Sequence, residues 1–153
     1  MYAYAGLALY WAQCFEMSLT NALMLYERAS NIKITLENLE SLESELRQKT
    51  LGGLLNRTKK TFKFDEGATK KINAALEARN FLVHHFFRDR AIDFLTPDGR
   101  SQMISELEEM QATLSEADTV AMALCGAFCE AIGITKEMLN AEFDRLYSNA
   151  CGN

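Results

Sequence analysis

A single proline, Pro97, and only eight glycines in 153 residues leave this chain without the punctuation that strand-and-turn architectures require. That scarcity points to an all-helical fold, and the length to one domain spanning residues 1–153. Cysteine is sparse and unpatterned. Cys14, Cys125, Cys129 and Cys151 follow no disulfide-framework or zinc-ribbon spacing and are expected to be reduced. Cys125 and Cys129 share a helix face, but two thiolates without two further ligands make no structural zinc site, so no metal and no cofactor is expected. A long uninterrupted apolar run is missing too. The N-terminal MYAYAGLALYWAQCFEM lacks a basic leader and is interrupted by Gln13 and Glu16, which argues against a membrane span or an export signal and makes a cytoplasmic location the expectation.

An excess of positive charge is also absent: the formal net charge is -5, which excludes a generic nucleic-acid coat or a protein held on membranes by global charge. The distribution is nevertheless polarised. Residues 101–135 carry Glu106, Glu108, Glu109, Glu116, Asp118 and Glu130 and no lysine or arginine. Arg57, Lys59, Lys60, Lys63, Lys70, Lys71, Arg88 and Arg90 cluster in sequence around the chain's two histidines. This pattern is either a solvated charged face or a means of steering an anion to one region of an acidic protein.

What is present is helical periodicity. Tyr4, Leu7, Ala8, Trp11, Phe15, Ser18, Leu19, Ala22, Leu25 and Tyr26 recur at three- and four-residue steps, with Leu9, Tyr10, Met17, Leu23 and Met24 off that stripe. A first helix apolar on more than one side is either covered by its own bundle or meets a second subunit. Thr35 caps a second helix with Leu36, Leu39, Leu42 and Leu46 as its stripe, and Gly52-Gly53 favour a break or kink before another apolar turn. The stretch RTKKTFKFDE, residues 57–66, reads as a basic loop. Its Phe62 and Phe64 either anchor it to the bundle or stack on single-stranded nucleic acid. Asp65 caps a third helix that runs to about Phe94, where Thr96-Pro97-Asp98-Gly99 signals a turn. A fourth helix spans about Arg100 to Cys129; Gly133 breaks it, and Thr135 caps a short last helix bearing Met138, Leu139, Phe143 and Leu146. The expected architecture is an up-and-down four-helix bundle with an additional short C-terminal helix.

The string Arg79-Asn80-Phe81-Leu82-Val83-His84-His85 concentrates the chemistry. Histidine exchanges protons near neutral pH, and arginine binds phosphate or carboxylate through two parallel hydrogen bonds. At 100° per residue, Ile72, Leu76, Val83, Phe86, Phe87 and Phe94 define a buried arc that also contains Arg79, which therefore needs a carboxylate, a carbonyl cluster or a bound anion. Asn80 and His84, one turn apart, share an edge of that arc, while Phe81 and His85 point farther round. Arg-x4-His alone is a weak pattern; the adjacent Asn80 and the aromatic residues that follow sharpen it.

With Leu76-Glu77-Ala78-Arg79-Asn80-Phe81-Leu82-Val83-His84-His85-Phe86-Phe87 as its core, and with Phe15-Glu16 and Thr50-Leu51-Gly52-Gly53-Leu54 elsewhere, the chain resembles the HEPN superfamily of small helical bundles. The resemblance implies a homodimer in which two copies of the Arg-x4-His helix meet to form a metal-independent endoribonuclease site. On that reading Arg79, Asn80 and His84 are catalytic, with His85 and Glu16 as additional candidates. Arg57, Lys59, Lys60, Lys63 and Arg88 would bind RNA. His84 is preferred to His85, which fits a longer x5 spacing, because it shares the face of Asn80. A toxin or phage-defence role, restrained by an antitoxin or other inhibitor, is part of the same expectation. Some family toxins carry a tyrosine two places after the histidine, where a nucleotidyltransferase modifies them; Phe86 stands there, so that form of silencing is not implied. Fold does not settle function. The alternative is a catalytically silent dimer that binds a nucleotide, RNA or a partner protein through the same cleft.

Overall fold

Five of the helices begin in the same way, with a hydroxyl or carboxylate closing the first turn. Thr35, Thr50, Asp65, Thr96 and Thr135 each accept a hydrogen bond from the backbone N–H three residues on, at 2.7–3.3 Å. Each such cap is worth about 1 kcal/mol and fixes where its helix starts. The computed structural model describes residues 1–152 and is all-helical, with no strand among the described residues. Its α-helices are α1 (Tyr2–Ser30), α2 (Leu36–Arg47), α3 (Leu51–Thr61), α4 (Glu66–His84), α5 (Phe86–Asp89), α6 (Pro97–Ala131) and α7 (Lys136–Cys151), with a 3-10 turn at Asp93–Leu95 before α6.

Helices α1, α4 and α6 form the centre. Gln111 donates to the carbonyl of Tyr4 at 2.9 Å and Ser18 donates to Asp118 at 2.6 Å, so α1 and α6 run side by side in the same direction. Helix α4 runs against both: Lys71 near its start meets Glu116, and Leu82 near its end packs with Ala8, Met103 and Leu107. The larger core gathers Phe15, Leu19, Leu46, Leu51, Leu55, Ile72 and Leu114, and the smaller one adds Phe86 to Ala8, Leu82, Met103 and Leu107. Truncating any of the buried leucines to alanine costs about 2–5 kcal/mol.

Several boundaries differ from those expected. The third long helix does not continue to Phe94; it ends at His84, and His85 leaves helical geometry at φ -128°. The bend carries Phe86 into the smaller core, edge-on to Phe81 at 6.0 Å. Beyond it, a straight 100° extrapolation loses phase: Phe87 is exposed, and Val83, just before the bend, is exposed as well, while Ala75 and Leu82 are buried instead. The break before α3 falls at Thr50, so Gly52 and Gly53 lie inside the helix and not at a kink. Arg57, Lys59 and Lys60 are on α3, which shortens the expected basic loop to residues 62–65. The Thr96-Pro97 turn is the start of α6, with Pro97 in the first helical position where its missing N–H costs nothing. Finally, the last helix is not short: α7 has 16 residues, none of them buried.

Candidate functional site

The last two turns of α4 carry Arg79, Asn80 and His84, and α1 supplies their neighbour Glu16. Arg79 Nη2 lies 3.3 Å from Glu16 Oε1, with both side chains half-buried. Arg79 Nη1 also donates to Asn80 Oδ1 at 3.4 Å, a long contact. A guanidinium entering the apolar arc thus meets a carboxylate across the helix pair, the pairing that partial burial demands. Because both groups retain solvent contact, the ion pair itself is worth under about 1 kcal/mol.

The two histidines have different surroundings. His84 is exposed, and its side chain has no hydrogen-bond partner among the described residues. His85 is engaged: Arg88 Nη2 lies 2.6 Å from its Nδ1, and its ring stacks on Phe81 with centroids 6.4 Å apart. Since a guanidinium only donates, that contact requires Nδ1 to be an acceptor, which leaves the proton of a neutral ring on Nε2. Arg90 also approaches Phe81, its guanidinium carbon 6.0 Å from the ring centroid. Arg90 is held in turn by Glu106 at 2.9 Å, and hydrogen bonding to that carboxylate raises the arginine above its usual range.

The expected RNA-binding cations divide into engaged and free groups. Arg57 pairs with Glu45 at 2.9 Å, and hydrogen bonds from Lys49 and then Arg57 draw the Glu45 carboxyl below the usual carboxylate range. Lys59 donates to Asn73, and Arg88 pairs with its neighbour Asp89 at 2.9 Å. Lys60 and Lys63 are exposed without an ion pair among the described residues. Phe62 and Phe64 anchor the segment: Phe62 packs against Tyr26 at 5.3 Å and Phe128 at 5.4 Å, and Phe64 against Phe62 at 6.3 Å. They are thereby tied to the protein's own aromatic core and not presented as a stacking platform.

A cavity of about 320 Å³ opens on the α2 side of Glu16, lined by Gln13, Met17, Thr20, Leu46, Arg47 and Lys49 among others. Arg47 and Lys49 were not singled out in the sequence. Their only signal was basic charge at the C-terminal end of α2, and the docking of α2 on α1 is what brings them beside Glu16. No group of three or more His, Cys, Asp or Glu able to hold a metal ion occurs among the described residues. No single helix among them is long and apolar enough to cross a membrane. Comparison with known proteins gives no match to a family, to a curated protein or to a solved structure.

Proposed function

We propose that this chain is a metal-independent endoribonuclease of HEPN type, working as a homodimer with a composite Arg/His site. The observation that carries the reading is the division of labour along the end of α4. Arg79 is held half-buried by Glu16, whereas Asn80 and His84, one turn apart, remain exposed. RNA brings its own nucleophile, the ribose 2'-hydroxyl. One His84 takes its proton as the oxygen attacks phosphorus, and the His84 of the second copy protonates the departing 5'-oxygen. Arg79 neutralises the charge gathering on the non-bridging oxygens, and Asn80 orients the phosphate or the imidazole by hydrogen bonding. The products are a 2',3'-cyclic phosphate and a 5'-hydroxyl. The antiparallel packing of α4 against α1 and α6 supports an up-and-down HEPN-like bundle. Exposed Leu9, Tyr10 and Met17 on α1, with Val83 on α4, supply apolar surface for the second copy. Lys60 and Lys63 stand before the start of α4, at the opposite end of that helix from His84, and are placed to hold RNA that extends beyond the cleavage site; a cytoplasmic toxin or defence effector restrained by an inhibitor protein is the corresponding cellular role.

The test is digestion of labelled RNA in EDTA by the wild type, Arg79→Ala and His84→Ala. Cleavage by the wild type alone, ending in cyclic phosphate, supports the enzyme. Intact RNA in every lane with a stable dimer supports the second reading, a silent binding module. That reading is favoured by one observation: the guanidinium that would grip a phosphate is already occupied by Glu16.

A further inference from the structure

The cavity of about 320 Å³ beside Glu16 has chemically distinct sides. Its floor is aliphatic: Leu46 of α2 with Leu51 and Leu54 of α3, each no more than 3% exposed, and Met17 closes one edge. Its α1 side is polar, with the carboxylate of Glu16 and no cation among the lining residues. Thr20 lines it there, only 6% exposed, and its Oγ1 donates to the backbone carbonyl of Glu16 at 3.0 Å. That bond commits the hydroxyl proton, so toward the cavity the oxygen can only accept. Gln13, two turns earlier on the same helix face, offers an amide with both donor and acceptor, and has no hydrogen-bond partner among the described residues. The opposite rim is basic. Arg47 meets Glu43 at 2.6 Å, and Lys49 and Arg57 share Glu45 at 3.0 and 2.9 Å, so three cations face two carboxylates and one positive charge is left over. These pairs are exposed and weak, and an arriving anion displaces them easily.

We propose that this cavity is a nucleotide subsite. A base bearing an exocyclic amino group enters over the leucine floor, donates to Thr20 Oγ1 and pairs with the Gln13 amide, while its phosphate rests on Lys49 and Arg47. Adenine meets each requirement: N6 donates, the ring nitrogens accept, and a glutamine amide pairs with that edge. The volume stands at the small end of small-molecule sites, about 300–1,000 Å³, which suits a single nucleoside. Glu16 repels phosphate from the α1 side, so the orientation is fixed. The subsite deepens the ribonuclease reading and rests on it for the source of its nucleotide. Glu16 both lines the cavity and holds Arg79 at 3.3 Å, so in a strand whose scissile phosphate sits on Arg79 the neighbouring base reaches the cavity and the next phosphate reaches Lys49. Met17 belongs also to the surface offered to the second copy, which places the cavity at the edge of the composite cleft. A free mononucleotide presents the same base, sugar and phosphate, and the experiment separates the two sources.

Fluorescence anisotropy of the full chain with 2'-O-methyl hexanucleotides, which cannot be cleaved, compares adenine with uracil, and AMP and adenosine serve as competitors. The wild type is expected to prefer adenine by about tenfold, the worth of one well-made hydrogen bond. Thr20→Val keeps the shape, removes the acceptor and should erase that preference while leaving uracil affinity unchanged. Gln13→Leu, at an exposed position, reads the same preference should Thr20→Val lower helicity. Lys49→Gln should weaken AMP and spare adenosine. Equal affinity for adenine and uracil in the wild type, or a preference that survives both substitutions, overturns the subsite; equal losses of AMP and adenosine in Lys49→Gln overturn the phosphate seat. A preference found in the hexanucleotide and not in AMP identifies RNA as the occupant, and AMP binding as tightly with the same dependence on Thr20 identifies a free nucleotide. Because the readout is binding, RNA left intact in the EDTA digest with the preference kept removes the ribonuclease reading alone. A lost preference beside active cleavage removes the subsite alone.

Discussion

Glu16 on α1 and Arg79 on α4 meet at 3.3 Å, which couples the first helix to the arginine of the Arg-x4-His string. The pair is half-exposed, so its contribution to folding is small; on the proposed ribonuclease reading it aims the guanidinium. Arg79→Ala is expected to lower stability to urea by no more than about 1 kcal/mol. It is expected to cost single-turnover RNA cleavage about 100-fold or more, the usual loss for a group that stabilises transition-state charge. Glu16→Gln removes the competing carboxylate charge, and should tighten binding of a non-cleavable 2'-O-methyl RNA while leaving cleavage within tenfold. If Arg79→Ala unfolds the protein, or if Glu16→Gln weakens RNA binding, the pair is architectural and the site reading fails.

The two histidines are predicted to separate cleanly. His84 has no competing hydrogen bond, whereas the Nδ1 of His85 is taken by Arg88 at 2.6 Å and its ring is stacked on Phe81. His84→Ala should therefore reduce cleavage by about 100-fold to 10,000-fold, as expected for loss of a general acid or base. His85→Ala should cost less than tenfold. The reverse order in a side-by-side rate measurement would transfer the proton-moving role to His85.

Helix starts were legible in the sequence because they depend on short-range chemistry: Thr35, Asp65 and Thr135 cap helices where their residue types indicate, and the apolar spacing around Phe15, Leu19 and Ile72 identifies core. The end of α4 was not. No proline or glycine stands at His85, and the bend there is set by the demand of the smaller core for Phe86, a tertiary effect that no local signal carries. Glycine misled in the other direction, since Gly52 and Gly53 sit within a helix whose start Thr50 had already fixed. In the site, the need of Arg79 for a partner was readable from its place in an apolar arc. Arg47 and Lys49 reach the neighbourhood of Glu16 only through the way α2 docks, and that depends on the whole fold.

Gly99 is predicted to be the glycine least tolerant of change. A Cβ there would stand 2.2 Å from the backbone carbonyl oxygen of Asp93, and no flexible side chain could move aside to make room. Gly99→Ala must push the 3-10 turn away from the first turn of α6. The expected cost is about 2–3 kcal/mol, in the range of overpacking. For a chain of this size that lowers Tm by roughly 5–10 °C. Gly126→Ala, in the same helix with open space around it, provides the contrast and should be neutral or slightly stabilising. Calorimetry of the two variants decides the matter: equal Tm values would mean that the turn yields freely.

Cys125 is expected to make the fold sensitive to alkali. Its thiol is buried between α1 and α6, where Sγ donates to the carbonyl of Ser18 at 3.3 Å, and burial pushes it from 9.0 up to about 11. Between those two values the unfolded chain has released this proton while the native chain still holds it, so unfolding is favoured progressively as pH rises through the window. Below pH 9 both states are protonated and the stabilising contribution is intact. The loss across the window is at most about 2 kcal/mol. Urea unfolding of wild type and Cys125→Ala at pH 8 and pH 10.5 isolates it from the lysines and tyrosines that titrate nearby: the wild type should lose more stability between the two pH values than the variant does. Thiol labelling at pH 8 gives the kinetic counterpart, with exposed Cys151 reacting at once and Cys125 only on unfolding. Parallel pH slopes in the two proteins, or prompt labelling of Cys125 in the native state, would show that the α1/α6 interface is open at this point.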